Sequence, residues 1–310
     1  MAKDKKAIVM FSGGLDSRLA IKIMQEQGFD VMAVFFKLPF GAGCCNENCS
    51  FNFSQVQGIE LKVFDCTKGK PLEGYLEVIR KAEHGRGAGM NPCIDCRIFM
   101  LRKIKKFADK KSIELIVTGE VLDERPMSQT KRAMEIIEKK SGLKGRLLRP
   151  LSAKLLPETE MEKAGIINRD KLYDIKGRKR ERQIALAKKF KIFYPFPAGG
   201  CLLCEKELKK RFKYLLNRKA DEKEVKLIGK GRHFLIDDCW VILGRTEQEN
   251  KIIESVGKDK KLIIPDFPAP SAIILDECRK KTEEKVKKLI KAYSKKGSLK
   301  ERKKFEVYKL

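Results

Sequence analysis

Two constellations in this sequence have the residue types and spacing to do chemistry, and a third adds a cluster of thiols. The first is Ser12-Gly13-Gly14-Leu15-Asp16-Ser17, placed where an apolar run at 7–11 gives way to a helical pattern. A glycine-rich turn between a buried strand and a helix presents backbone N–H groups and the positive end of the helix dipole, a combination that binds phosphate. Gly13 and Gly14 allow close backbone approach. Ser12 and Ser17 offer hydroxyls, and Asp16 suits a polyphosphate only with Mg²⁺ or an amine between them. The spacing is not G-x-x-x-x-G-K-[ST], so the usual NTPase loop is excluded. The second constellation is Cys93-x-x-Cys96 with Cys201-x-x-Cys204, each pair entering a helix, where thiolate is favoured. With 104 residues between them, the pairs are too far apart for a compact zinc ribbon. Three readings stand: a structural Zn²⁺ on four cysteines, an iron–sulfur cluster on three or four, or a dithiol relay carrying sulfur as a persulfide. Cys44, Cys45 and Cys49 in "GCCNENC" form the third cluster, with spacing suited to metal or to a persulfide.

Such groups need a frame. Short buried-strand runs at 7–11, 30–36, 61–65 and 114–119 alternate with helical patterns at 16–27, 72–83 and 96–110, and Gly28 is placed to stop the first helix. This predicts an α/β fold, a parallel sheet with helices on both faces. Open parallel sheets bind ligands beyond their strand carboxyl ends. The loop "VTGEVLDERPMSQ" at 117–129 is therefore expected to face a nucleotide, with Gly119 admitting adenine or ribose and Arg125, Ser128 and Gln129 touching substrate. "GRGAGM" at 85–90 falls short of G-x-G-x-x-G and reads as a loop. Past Gly119 come a basic helix at 176–191 and a Pro/Gly loop at 194–200. A boundary near 210 gives a domain of 1–208 and a small α+β domain of 209–310 with a basic tail. The latter opens with two strands around an Asp-Asp turn and a polar helix within 232–250.

Lys plus Arg number 69 against 42 for Asp plus Glu, a formal net charge of +27. A thermophile's surface raises Glu together with Lys, whereas this excess is one-sided and predicts a polyanionic partner, nucleic acid rather than membrane. No run approaches the roughly 20 apolar residues of a membrane span, and "MAKDKKAIVMF" is too short and charged for a signal peptide. The ten cysteines are thus read in a reducing cytoplasm, as ligands or redox groups rather than disulfides. Cys66, Cys239 and Cys278 read as plain buried thiols.

Ser-Gly-Gly-Leu-Asp-Ser resembles the PP-loop of the ATP pyrophosphatases, which split ATP between the α and β phosphates and adenylate a substrate oxygen. The resemblance implies that Ser12, Gly13, Gly14, Asp16 and Ser17 bind the leaving pyrophosphate and its metal, with Arg18 either on phosphate or solvated. "NPC-x-x-C" after such a domain's third strand resembles the thiouridine synthases, of the ThiI and MnmA kinds. One class of these holds an iron–sulfur cluster on three cysteines, which here match Cys93, Cys96 and Cys201. The MnmA type uses an acid and two cysteines, nearest to Cys96 and Cys201, as catalytic groups alongside Asp16. Cys204 departs from both patterns, and as a fourth ligand it would close the metal site. No tRNA-binding module precedes the loop, as one often does in 4-thiouridine synthases.

"LIGKGRHFLIDDCWVILGRTEQEN" resembles the NFACT-R type of RNA-associated domain through Gly231, Arg232, His233, Phe234, Gly244, Arg245 and Asn250. It implies Arg232 and Arg245 on RNA phosphates with an exposed aromatic for stacking, against the alternative that Phe234 and Trp240 are core. With two histidines in the chain, no His-based catalytic site is indicated. The combined expectation is an ATP-dependent tRNA thiolase using Mg²⁺ and an iron–sulfur cluster or Zn²⁺, supplied with sulfur by a cysteine desulfurase or by sulfide. The alternatives are a PP-loop ligase or sulfur-insertion enzyme acting on a small metabolite, and a non-enzymatic, metal-stabilised RNA-binding protein.

Overall fold

The computed structural model describes residues 5–42, 47–194, 200–257 and 260–310. Cys44 and Cys45 lie outside them. The chain forms two compact units, Met1–Cys204 and Glu205–Leu310. No helix among the described residues is long and apolar enough to cross a membrane.

In the first unit, strands β1 (Lys6–Phe11), β2 (Asp30–Lys37), β4 (Glu60–Asp65), β5 (Leu115–Thr118) and β6 (Leu147–Leu148) make one parallel sheet in the order β4-β2-β1-β5-β6. Successive side chains of a strand point to opposite faces. Accordingly Ala7, Val9 and Phe11 of β1 pack on Leu15, Leu19 and Ile23 of helix α1 (Leu15–Glu26). Ile8 and Met10 pack on Ile98, Leu101 and Ile104 of α4 (Cys93–Lys110) and on Ile137 of α5 (Lys131–Ser141). Both faces are buried, which is why these strands read as near-continuous apolar runs. From β1 the chain builds outward through β2 and β4, by way of α2 (Glu47–Gln57), and α3 (Gly69–Lys81) follows β4. It then returns to β5 and β6 on the other side. The strand order reverses between β1 and β5, and a ligand crevice belongs at the carboxyl ends of those two strands.

Two further strands of two residues, β3 (Gly41–Ala42) and β7 (Gly200–Cys201), pair antiparallel away from the main sheet. The basic stretch at 176–191 is helical only over α7 (Glu181–Lys189), which follows the one-turn α6 (Glu160–Lys163). Its first residues form a bridge to Leu122 and then a bend instead. Ile175 N–H donates to Leu151 O, Gly177 N–H donates to Leu122 O, and Gly177 has φ +86°.

The second unit opens with α8 (Lys209–Leu216) and α9 (Glu222–Leu227) and is built on an antiparallel sheet in the order β10-β11-β9-β8. Strands β8 (Arg232–Ile236) and β9 (Cys239–Leu243) meet at Asp237 and Asp238, both at positive φ as a two-residue hairpin of type I′ requires. Helix α10 (Glu247–Val256), β10 (Lys261–Ile263) and β11 (Ala272–Ile274) follow, then α11 (Lys280–Ala292) and α12 (Leu299–Lys303). Val286, Leu289 and Ile290 of α11 join the core formed by Phe234, Val241 and Ile274. Phe234 and Trp240 are fully buried, so they are core and not a stacking surface. Cys239 and Cys278 are not plain thiols. They are joined as a disulfide between the start of β9 and the turn before α11, with Cα atoms 6.3 Å apart, inside the span a disulfide bridges.

The motif residues of this unit have structural work. A Cβ at Gly231, where φ is +68°, would lie 2.7 Å from Leu243 O, and one at Gly244 would lie 1.9 Å from Asn250 Oδ1. That same Asn250 oxygen accepts from Ser271 N–H at 3.2 Å. His233 is fully buried; its Nδ1 accepts from Trp240 Nε1 at 3.0 Å, and its Nε2 lies 2.7 Å from Lys230 O. Burial, with the Arg211 charge nearby, holds its pKa down to about 3. The folded state therefore refuses a proton that the unfolded chain accepts near pH 6.5. Stability rises with pH across the window from about 3 to 6.5 and is lost as the pH falls through it, by about 1.4 kcal/mol per unit. Acid unfolding followed by Trp240 fluorescence should show this slope in the full chain, and the slope should be shallower in His233→Gln. Equal slopes in the two proteins would contradict it.

Candidate active site

The loop at 12–17 lies at the switch point that the topology defines. Gly13 takes φ +77°, which turns the chain out of β1, and Gly14 is the extended N-cap of α1. Ser17 Oγ donates to Gly14 O at 2.9 Å, and Ser12 Oγ is 3.3 Å from Ser17 Oγ. Arg18 is neither solvated nor free for phosphate. It is 4 % exposed, its Nε donates to Gly13 O at 2.7 Å, its Nη1 to Phe193 O at 3.0 Å, and its Nη2 reaches Cys49 Sγ at 3.2 Å. Its guanidinium stacks 4.3 Å from the Phe53 ring. It braces the turn from behind.

Gly119, at the end of β5, lets the backbone of α1 approach closely. A Cβ there would fall 2.5 Å from both Asp16 C and Ser17 N. The missing side chain makes room for the first turn of α1, although Gly119 also lines the cavity. Gly119→Ala is expected to displace the 12–17 loop, destabilising the fold by about 1–3 kcal/mol and weakening ATP binding. Calorimetric titration with ATP and a urea melt check this. Unchanged values in both would mean the loop moves freely.

The carboxylates after β5 complete the loop. Glu124 is buried and paired with Arg180, whose Nη2 also lies 3.8 Å from Asp16 Oδ2. Asp16 Oδ1 and Glu124 Oε2 are buried without a hydrogen-bond partner. Burial, then the charge of Glu124, raises the Asp16 pKa to about 7, against the opposing pull of Arg180 and Arg125. Two hard oxygens with no donor, on carboxylates that repel one another, suit a divalent cation such as Mg²⁺. Glu120, 2 % exposed, accepts from Arg149 Nε at 3.0 Å and Thr118 Oγ1 at 3.1 Å, and lies 3.3 Å from Arg97 Nε. Burial works to raise its pKa, but the two arginines overcome it and the carboxyl is held low.

A cavity of about 780 Å³ opens over these groups, and its other wall carries the cysteines. Cys93 begins α4 and Cys96 sits in its first turn. Backbone pairing carries Cys201 and Cys204 to them across the long sequence separation. Gly41 pairs with Cys201, Leu202 N–H donates to Phe40 O, and Met90 N–H donates to Leu203 O at 2.7 Å. Asn91 Nδ2 approaches Cys93 Sγ at 3.3 Å, and Cys96 Sγ is 3.5 Å from Tyr75 Oη. The thiolate expected from the helix N-terminus does not prevail. Burial, and then the neighbouring Cys201 and Cys93 charges, push Cys96 up to about 12, although the Tyr75 hydroxyl and Arg97 oppose this. Burial likewise pushes Cys201 up to about 11, with Cys204 and Cys93 adding to it. Among the described residues no three of these sulfurs lie within 4.8 Å of one another, which is wider than a tetrahedral four-thiolate Zn²⁺ site. Soft thiols on one wall are of the donor type that an iron–sulfur cluster takes.

The structure thus brings Ser12, Gly14, Asp16, Ser17, Gly119, Cys93, Cys96, Cys201 and Cys204 to one cavity, with Arg125 exposed on its rim and Ser128 and Gln129 buried in its wall. Cys49 sits behind the loop against Arg18. Arg232 and Arg245 belong to the second unit. Arg232 donates to Gly244 O and covers the Tyr293 ring, and Arg245 pairs with Glu249 at 2.6 Å. Sequence reasoning passed over Tyr75, Asn91, Arg97, Glu120, Glu124 and Arg180. Glu120 and Glu124 lie inside the quoted 117–129 loop and Arg97 follows Cys96, so the signal for these three was adjacency.

The family model ThiI, described as thiamine biosynthesis protein, matches residues 2–172, more than half of the chain. The chain belongs to the ThiI family. Residues 231–308 match the NFACT protein RNA binding domain. The tRNA-specific 2-thiouridylase MnmA of Acidithiobacillus ferrooxidans is 32% identical over 107 residues, 31% of this chain and 28% of that protein. Its counterpart from Clostridium acetobutylicum is 31% identical over 131 residues, 37% of this chain and 36% of that protein. The match spans about a third of the length of these relatives. Among solved structures, a predicted subunit of tRNA methyltransferase from Methanocaldococcus jannaschii aligns with TM-score 0.38 and 16% identity, over 71% of this chain and 90% of that one. A 4-thiouridine synthetase in complex with RNA and ATP aligns with TM-score 0.40 and 18% identity, over 72% of this chain and 53% of that one. As a ThiI-family member the chain carries the PP-loop fold described above, a parallel sheet flanked by helices, with a small antiparallel-sheet domain at its C-terminal end.

Proposed function

We propose that this ThiI-family chain is a cytoplasmic, ATP-dependent tRNA uridine thiolase. One observation carries the reading: the 12–17 loop and both C-x-x-C pairs line the same cavity. The triphosphate lies on the loop N–H groups and the Ser12 and Ser17 hydroxyls, with Mg²⁺ on Asp16 and Glu124. Uridine O4 or O2 attacks the α phosphorus and pyrophosphate leaves, so the base carbon becomes bonded through oxygen to AMP. That carbon is now electrophilic and has a good leaving group.

Sulfur at the cysteine wall completes the exchange. The terminal sulfur of a Cys201 persulfide attacks the activated carbon, and AMP departs with the electrons of the C–O bond. The Cys96 thiol, its proton passing to solvent, then attacks the sulfur atom of Cys201. Thiouridine is released and a Cys96–Cys201 disulfide is left, which an external thiol reduces. A cysteine desulfurase reloads the reduced site by passing on its own persulfide sulfur. Sulfide reloads it only by attacking Cys201 Sγ in the Cys96–Cys201 disulfide, which leaves a persulfide on Cys201 and releases Cys96 as thiolate. An iron–sulfur cluster would be held by Cys93, Cys96 and Cys201 and would supply a sulfur-carrying site in place of the persulfide. Iron, sulfide and zinc content of the anaerobically purified chain discriminates among the three cysteine readings.

The tRNA is held by phosphate contacts from Arg125 at the cavity rim and, in the second unit, from Arg232 and Arg245 along the surface of its RNA-binding-type domain. A formal charge of +27 fits an RNA partner better than a small metabolite, and tRNA affinity should fall steeply with salt. The reading is tested by ATP–pyrophosphate exchange with unmodified tRNA transcripts. Exchange stimulated by tRNA is the expected result, and neither exchange nor thiouridine with any tRNA would sink it.

A further inference from the structure

A second cavity, of about 440 Å³, lies between α3 and α4. Asp95, Ile98, Phe99, Arg102, Lys103 and Lys106 line it from α4, at the spacing of one helix face. The cavity that holds the cysteines is lined by Cys93, Cys96, Arg97 and Met100, from another face of the same helix. The two can therefore be altered independently.

Charge is sorted along the groove. Near the first turn of α4, Asp95 accepts from His84 N–H at 3.1 Å and meets His84 Nδ1 at 2.6 Å, while Glu77 pairs with Arg80 and, at 3.5 Å, with Lys81. Glu83 adds a carboxylate at that end. Two to three turns further along are Arg102, Lys103 and Lys106, joined by Lys140 from α5, whose carbonyl accepts from Arg102 Nε at 2.9 Å. Among the described residues, none of these four cations is paired with a carboxylate. Lys103 lies over the Phe99 ring at 4.9 Å, and Arg102, Lys106 and Lys140 are exposed. None of the exposed large apolar residues lines the groove, so it lacks the apolar face with which a protein enters a membrane surface. Concave shape, uncompensated cations and no greasy anchor are what a sugar–phosphate strand requires.

We propose that this groove docks the RNA backbone of the tRNA whose uridine enters the cysteine cavity. The inference rests on the thiolase reading, and its test separates the two. Binding of a fluorescein-labelled, unmodified tRNA transcript to the full chain is measured across a salt series. Wild type is compared with the triple variant Arg102→Gln, Lys106→Gln, Lys140→Gln, and ATP binding serves as the control for an intact fold and cavity. The variant should bind ATP normally and tRNA about tenfold or more weakly near 0.1 M salt, and the slope of log affinity on log salt should be shallower by about 2 to 3. Wild-type tRNA binding that the variant reproduces in affinity and slope would overturn the groove and leave the thiolase reading standing. Absence of salt-dependent tRNA binding by wild type would overturn both. Loss of binding to phosphatidylserine vesicles in the variant, with tRNA binding intact, would reassign the groove to a membrane and also overturn it.

Discussion

Replacing Cys201 by serine is expected to lower thiouridine formation by about a thousandfold or more while leaving ATP–pyrophosphate exchange within about threefold of wild type. The split follows from the layout of the cavity. Cys201 is held by backbone pairing to Gly41, and Leu202 by Phe40, so a side chain of nearly the same size leaves the segment in place. The groups proposed to handle ATP stand on the opposite wall, after β1 and β5. Cys96→Ser should behave in the same way. Cys204 is exposed and is not needed by the three-cysteine arrangement, so Cys204→Ser should keep most of its activity. Loss of exchange together with thiolation in Cys201→Ser would mean that the cysteines serve the architecture of the ATP site.

Asp16→Asn should do the reverse, removing ATP–pyrophosphate exchange by a factor of about a thousand while making the apo chain more stable. Asp16 is buried beside Glu124, and its pKa stands at about 7 against 3.8 for the free side chain. The folded state thus holds a proton that the unfolded chain has released. Stability contributed by this residue declines as pH rises from about 4 to 7 and is constant above that, by a few kcal/mol at most on the scale of about 1.4 per pH unit. Asparagine carries no such penalty, so the gain should be full above pH 7 and absent below pH 4. Urea melts at pH 8 and pH 4, without ATP or Mg²⁺, measure it. A variant less stable than wild type at pH 8 would show that the interaction with Arg180 outweighs the cost of burial. Loss of function with gain of stability is the usual mark of a site kept strained for its chemistry.

The candidate ATP site was legible as a place because its signal is local. Strand, glycine turn and helix follow one another within 6–26, and β1 buries both faces, so its apolar run is unbroken. The cysteine wall was legible as two motifs but not as one place. Joining them depends on the pairing of Gly41–Ala42 with Gly200–Cys201, two-residue strands with no periodicity of their own. Glu124 and Arg180 escaped notice because a charged residue in a loop and another in a basic run look solvated until the fold buries them against Asp16. Arg18 was open to misreading for the same reason. The Cys239–Cys278 bridge joins residues 39 apart, and nothing in their spacing distinguishes it from two buried thiols. Phe234 and Trp240 sit in motifs that suggested a surface, but β8 and β9 turn both into the core.

Adenylation and sulfur delivery are proposed to act on one uridine in one cavity. The direct test is a single turnover under anaerobic conditions, with the full chain loaded from ³⁵S-cysteine by a cysteine desulfurase, excess label removed, and unmodified tRNA and Mg²⁺ present with or without ATP. ³⁵S-thiouridine is expected in the tRNA only with ATP, accompanied by one AMP and one pyrophosphate per thiouridine formed. Label reaching tRNA without ATP, or AMP and pyrophosphate formed with no label transferred, would contradict the proposal.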